Sequence, residues 1–297
     1  MYLQISRNKW KSFFLILFFL ALIFALVWIF EELTGFGVGG LILAGVIAIA
    51  LTIGGYYASD KIVLKISRAK PVYKKDYPYL YNVVEGLAIA AGLPKPRCYI
   101  IDDTAPNAFA SGRNPDNSVI VVTKGLLNKL NRTELEGVIA HEMSHIKNYD
   151  VLVQTLAVVM VGVIVLLSDW ILRTFLWGGG RRRSRSKQGG NAGAILIVVG
   201  LVLAILAPLI AQLIRFAVSR KREFLADANG AFLTRYPPGL ASALRKLSAD
   251  KEPLEAANKA TAHLYIVNPL KDLKGKVNKL FSTHPPVEKR IAELEKM

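Results

Sequence analysis

Apolar residues along the chain gather into four long runs separated by polar stretches. The first covers Ser12 to Phe30, the second Val38 to Ala58, the third Val151 to Leu167 or on to Trp177, and the fourth Ala194 to Val218. As helices, runs of about 20 residues reach across a hydrocarbon core of roughly 30 Å. The first run is longer than the apolar region of a cleaved signal peptide, and it ends in Trp28, Ile29 and Phe30 rather than in small residues. It predicts a retained anchor that folds back as a hairpin with the second run.

Between these runs the pattern shortens to that of a soluble domain. Asp76 is positioned to cap a helix running to about Ala91, closed by Gly92 and followed by Pro94 and Pro96. Arg97 to Ile101 and Ser118 to Thr123 are short apolar, β-branched segments bounded by turn residues, and predict strands. Asn107 to Ser111 predicts a third, edge-like strand. Thr133 and Glu136 have capping-box spacing and open a helix through Tyr149, expected to continue into the third run. Helical patterns recur over 221–234, 238–248 and from 286 to the end. The expected architecture is an integral membrane protein, mainly α-helical with a small sheet. Residues 1–58 form a transmembrane hairpin, 59–150 with 219–297 a cytoplasmic domain, and 151–218 a second membrane hairpin inserted between its halves.

Charge gives the orientation. Lys and Arg total 38 against 22 Asp and Glu, a formal net charge of +16. Arg7, Lys9 and Lys11 precede the first hairpin, and Lys61, Lys65, Arg68 and Lys70 follow it, whereas its turn holds Glu31 and Glu32 and no base. Positive charge on the inner side then places the N-terminus and 59–150 in the cytoplasm of a cell-membrane protein. The second hairpin fits less simply. Its connection carries Arg181, Arg182, Arg183, Arg185 and Lys187 without an acid, and Asp169, Arg173 and Pro208 interrupt its runs. A spanning hairpin and a re-entrant or partly embedded one both stand. The basic excess suits a face meeting anionic lipid. No basic stripe interleaved with stacking aromatics points to nucleic acid. A single cysteine, Cys98, excludes a disulfide framework.

The chemistry is concentrated in His141-Glu142-Met143-Ser144-His145. Helical residues four apart share a face, so both imidazoles reach one ion while Glu142 stands beside them as a proton acceptor. The chain has four histidines and two lie here. A catalytic zinc site needs a third protein ligand. Glu223, one helical turn before Asp227, is the best candidate, although such a pair is often only a solvated helix face. Both flank the fourth run as the histidines flank the third, and a helical hairpin would bring them together.

These elements, with Pro106 to Ala110, Arg220 to Asp227 and Thr283 to Pro286, resemble the HtpX-type membrane zinc metallopeptidases, relatives of the CAAX prenyl endopeptidases. The resemblance covers nearly the whole chain. It implies a gluzincin-like α+β catalytic domain, one Zn²⁺, and cytoplasmic endoproteolysis of unfolded, damaged or misassembled proteins in protein quality control. By the same resemblance His141, His145 and Glu223 are the zinc ligands, Glu142 the general base and acid, and Asp227 the partner of a zinc histidine. Asn107 and Ala108 match the strand that pairs with substrate backbone, and His284 and Arg290 the positions facing the scissile carbonyl. For His284 a capping or packing role stands beside that one. His263 and Cys98 read as structural.

A different class also stands at this level: a transporter or a non-hydrolytic metal-binding membrane protein. Its runs would need charged groups along a path. Asp169, Arg173 and Arg215 lie only near the ends of the apolar runs. A prenyl-peptide protease would need several further spans, for which the chain is too short.

Overall fold

The computed structural model describes residues 2–34, 37–163, 219–258, 260–270 and 284–297. The Arg-rich connection, Asp169, Arg173, Pro208, Arg215 and Thr283 therefore lie outside the described residues, as does most of the expected second hairpin. Helix α1 (Tyr2–Thr34) and helix α2 (Gly37–Tyr57) pack against each other as the first two apolar runs predict. Among the described residues one helix, over Gln4–Ala25, is long and apolar enough to cross a bilayer. Helix α3 (Ser59–Ile66) leads into the part that holds the sheet.

There a four-stranded mixed sheet lies beside helices. Its order is β1 (Lys70–Pro71), β2 (Arg97–Ile101), β4 (Ser118–Thr123), β3 (Ala108–Gly112). β2 runs parallel to β4, with Cys98 opposite Ile120, and β3 pairs antiparallel to β4, with Ala110 opposite Ile120. β3 is thus an edge of the sheet, as its sequence predicts, one residue later than expected. β4 is buried throughout. That fits its run of Val and Ile without polar alternation. Cys98 is buried in the same core, and burial pushes its thiol up to about 11.

Helix α4 (Pro78–Ala91) ends at Gly92 in the left-handed region (φ 65°), as predicted. Its start differs. Tyr77 is the N-cap with Pro78 at the first helical position, and Asp76 lies one residue outside. After the short α5 (Lys124–Lys129), helix α6 (Arg132–Lys147) opens on a capping box of Asn131 and Glu134, two residues before the expected Thr133 and Glu136. Both pairs fit the pattern, and Asn131 wins because Glu134 also anchors Lys246 and Ser242.

α6 does not continue into the third run. It stops at Asn148, Tyr149 takes φ 59°, and α7, described over Asp150–Val163, leaves at 81° to it. Helix α8 (Arg220–Thr234) packs along α6, with α9 (Pro237–Ala249) and α10 (Val287–Leu294) around them. A Cβ on Gly230 would stand 3.1 Å from the backbone nitrogen of His141, so glycine sets how closely α8 approaches α6. Leu135, Val138, Ile139 and Ile146 of α6 are fully buried. Each contributes about 1.5–3 kcal/mol.

Candidate metal centre

The polar residues of α6 lie in the interior, where unpartnered groups are costly. Each imidazole has a carboxylate behind it. His141 Nδ1 is 2.9 Å from Asp227 Oδ1, and His145 Nδ1 is 3.0 Å from Asp150 Oδ2. With both Nδ1 atoms held, the Nε2 atoms converge to 3.2 Å from each other. Glu223 of α8 closes the triangle, Oε2 3.8 Å from His141 Nε2 and Oε1 3.5 Å from His145 Nε2. The three ligand atoms lie within 4.8 Å of one another and all three residues are buried.

This arrangement fits a tetrahedral cation. Two nitrogens at 2.0–2.1 Å from one ion stand roughly 3.3 Å apart, close to the imidazole spacing seen. Glu223 Oε2 and both ring nitrogens of His284 are buried without a hydrogen-bond partner among the described residues. His284 Nδ1 approaches Glu223 Oε2 to 2.9 Å, but not with hydrogen-bond direction. A cation held by the triangle would give Glu223 Oε2 the partner it lacks.

The electrostatics divide the roles. Burial depresses His141 to about 4, keeping it neutral and ready to ligate. For His145 burial acts in the same sense, but the Asp150 hydrogen bond and the charge of Glu223 outweigh it, raising it to about 9. Burial opposes ionisation of Glu223 too, yet the neighbouring His284, His145 and Arg290 hold it well below the usual carboxylate range. Glu142 differs. Burial raises it to about 7, against the pull of His145, and its carboxylate accepts from the Ala110 N–H of β3. It is a group poised to exchange a proton near neutrality.

The remaining predicted residues take defined places. Arg290 is wholly buried behind His141. It forks onto Asp227 (Nε to Oδ2 2.8 Å, Nη2 to Oδ1 2.7 Å), and its Nη1 donates to the Ile266 carbonyl at 2.9 Å. Burial opposes the Asp227 charge, but this guanidinium holds its carboxyl at about 2. Arg290 thus fixes the partner of a ligand. Asn107 and Ala108 are buried rather than open. Asn107 Nδ2 donates to the Val267 carbonyl at 2.9 Å, and the Ala108 carbonyl accepts from Ile266 N–H at 3.0 Å. At that point the chain itself covers the edge of β3. His263 is buried with Nε2 3.3 Å from the Gln154 carbonyl, in keeping with its structural reading.

Asp150 escaped the sequence reading. Five residues beyond His145 on a continuous helix, it would point away from that ring, and only the break at Tyr149 turns it back.

The profile of "Peptidase family M48" matches residues 74–297. The chain belongs to this family. An M48 relative named "Protease HtpX homolog" from Dictyoglomus turgidum is 51% identical over 296 residues, covering 100% of this chain and 94% of the relative. Another of the same name, from Thermoanaerobacter pseudethanolicus, is 44% identical over 292 residues, covering 98% and 96%. The crystal structure of S. mikatae Ste24p shares the fold, with a TM-score of 0.50 and 18% identity over 99% of this chain and 67% of that one. As an M48 peptidase with this buried ligand set and an apolar N-terminal helix, the chain is a membrane metalloprotease.

Proposed function

We propose that this M48 peptidase is a zinc-dependent endopeptidase that cleaves damaged or misfolded proteins, membrane proteins among them, on the cytoplasmic side of the cell membrane. The single observation that carries the reading is the His141–His145–Glu223 triangle with Glu142 beside it under strand β3. Zn²⁺ held by these three residues would polarise a scissile carbonyl and lower the pKa of a water towards about 7. Glu142 then takes the proton of the attacking water and delivers it to the leaving amine. Asp227 and Asp150 hold His141 and His145 with Nε2 inward, and Arg290 keeps Asp227 ionised and in place. His284, with Nδ1 2.9 Å from Glu223 Oε2, would face the reacting carbonyl.

Substrate would lie extended along β3, exchanging with Ile266 and Val267 at Ala108 and Asn107. Backbone pairing of that kind recognises unfolded chain more than sequence, which suits quality control. Residues 1–58 would form the first membrane hairpin, 59–150 and 219–297 the cytoplasmic domain, and 151–218 a second, inserted hairpin. The basic flanks of the first hairpin support that orientation.

The test is zinc content and casein proteolysis for the intact chain and for Glu142→Ala. One bound zinc in both, with hydrolysis lost in the variant, is expected. Near-normal turnover by Glu142→Ala would sink the mechanism.

A further inference from the structure

The N-terminal helix is more than an anchor. Leu15, Phe19 and Ile23 of α1 are buried against Leu152, Val153, Leu156 and Met160 of α7, so α1 is seated on the helix that begins with Asp150. One polar side chain of α1 continues inward from that seam. Asn8 is 3% exposed, and its Nδ2 donates to the Asn148 carbonyl at 2.8 Å and to Asp150 Oδ1 at 2.7 Å. Its Oδ1 accepts from Arg222 Nη1 at 3.0 Å, and Arg222 Nη1 also donates to Asp150 Oδ1 at 3.0 Å.

The atoms of Asp150 are therefore divided. Oδ1 takes the donors from Asn8 and Arg222, which leaves Oδ2 to face His145 Nδ1 at 3.0 Å. Asn8 also satisfies a carbonyl left open where α6 ends, at the break that turns Asp150 back to the histidine. Without its amide, that carboxylate keeps only one of these donors on the far side from His145, and its χ angles are free to follow Arg222.

We infer that Asn8 is a positioning residue of the metal centre: through Asp150 it sets the orientation of His145, so the N-terminal membrane helix completes the outer layer of the site. The inference rests on the zinc reading above and adds a residue 142 positions from the Asp150 that it holds. It makes metal retention depend on the seating of α1, which a soluble catalytic fragment would lack.

The experiment uses the full-length protein in detergent, with the zinc dissociation constant read by chelator competition. Five proteins are compared: wild type, Asn8→Ala, Asp150→Asn, the double variant and, as the control, Phe13→Ala (55% exposed on the same helix). Asn8→Ala should raise the constant about tenfold, the low end for partners behind a metal ligand. Phe13→Ala should leave it unchanged. In the Asp150→Asn background, Asn8→Ala should cost less than twofold, because its route to the histidine is already cut. An equal factor in both backgrounds would make Asn8 a merely structural residue and overturn the inference, as would a wild-type constant in Asn8→Ala. The Co²⁺-substituted absorption bands should shift in Asn8→Ala and stay put in Phe13→Ala. Should Asn8→Ala fail to fold, Asn8→Ser, which keeps one donor, enters the same cycle with the same criteria. A wild-type chain that binds no zinc removes the metal reading and this inference with it, whereas zinc-loaded wild type with an additive cycle removes this inference alone.

Discussion

Glu142 is the residue whose environment makes the sharpest chemical forecast. Burial places its proton exchange at about 7, and a cation bound next to it can only lower that value. Activity should therefore rise with pH and level off at or below pH 7, with a tenfold loss per unit on the acid limb. A kcat/KM profile between pH 5 and 8 reads this directly. Glu142→Gln should lose about 10²–10⁴ in kcat, the usual worth of a positioned base, while zinc stays bound. Asp227→Asn and Asp150→Asn should each raise the zinc dissociation constant about 10–100-fold, because each frees the ring of one ligand. Chelator competition checks both, and an effect at Asp227 alone would show that the contact at Asp150 is idle. Asp227 also has a stability consequence. Its folded value of about 2 lies below the ordinary 3.8, so its contribution is complete above pH 4 and is lost as pH falls towards 2.

At the scale of elements, close approach decides the outcome. A Cβ on Gly137 of α6 would meet the Leu240 backbone at 2.7 Å, and backbone cannot swing aside. Gly137→Ala should destabilise the fold by about 1–3 kcal/mol, measured by urea unfolding. Local sequence signals reached many of these elements. β2 and β4 announced themselves as β-branched runs between turns, and Gly92 closed α4 as its φ requires. His141, Glu142 and His145 were legible from spacing alone, and Glu223 with Asp227 needed the thought that a hairpin brings distant helices together. The misses share a physical cause. β1 is two residues, Lys70 and Pro71, with no pattern to read. The break at Tyr149 has no glycine or proline to mark it, since contacts made by Asp150 and Asn148 hold a tyrosine at φ 59°. Asp150 and the inward place of Arg290 then follow from that break and from α10 packing, which no local window contains.

For the whole molecule, orientation and metal are the two testable properties. A cysteine placed between Glu31 and Gly37 should react with a membrane-impermeant label only from outside the cell, and one at Lys74 only from inside. Labelling of both from one side would overturn the orientation drawn from the basic flanks. Metal should also act as a structural link, because His141 and His145 of α6, Glu223 of α8 and His284 just before α10 converge there. With free zinc at 100 times its dissociation constant the folded form gains about 2.7 kcal/mol, so chelation should lower the melting temperature by several degrees.

One consequence follows from the seat of Ile266 and Val267 at the edge of β3. The groups that an extended peptide would use there are already in use, on Ala108, Asn107 and Arg290. Entry is then a trade of like for like, in which an incoming peptide restores the bonds it breaks and gains little from pairing itself. If substrate enters there as proposed, apparent affinity would be the intrinsic one scaled down by the fraction of molecules whose seat is vacant. Folded neighbours that brush past the site would then be ignored, and only chains dense in exposed backbone would compete. Val267→Gly, which loosens the sitting tenant, should therefore lower KM for unrelated unfolded peptides by one common factor while leaving kcat alone.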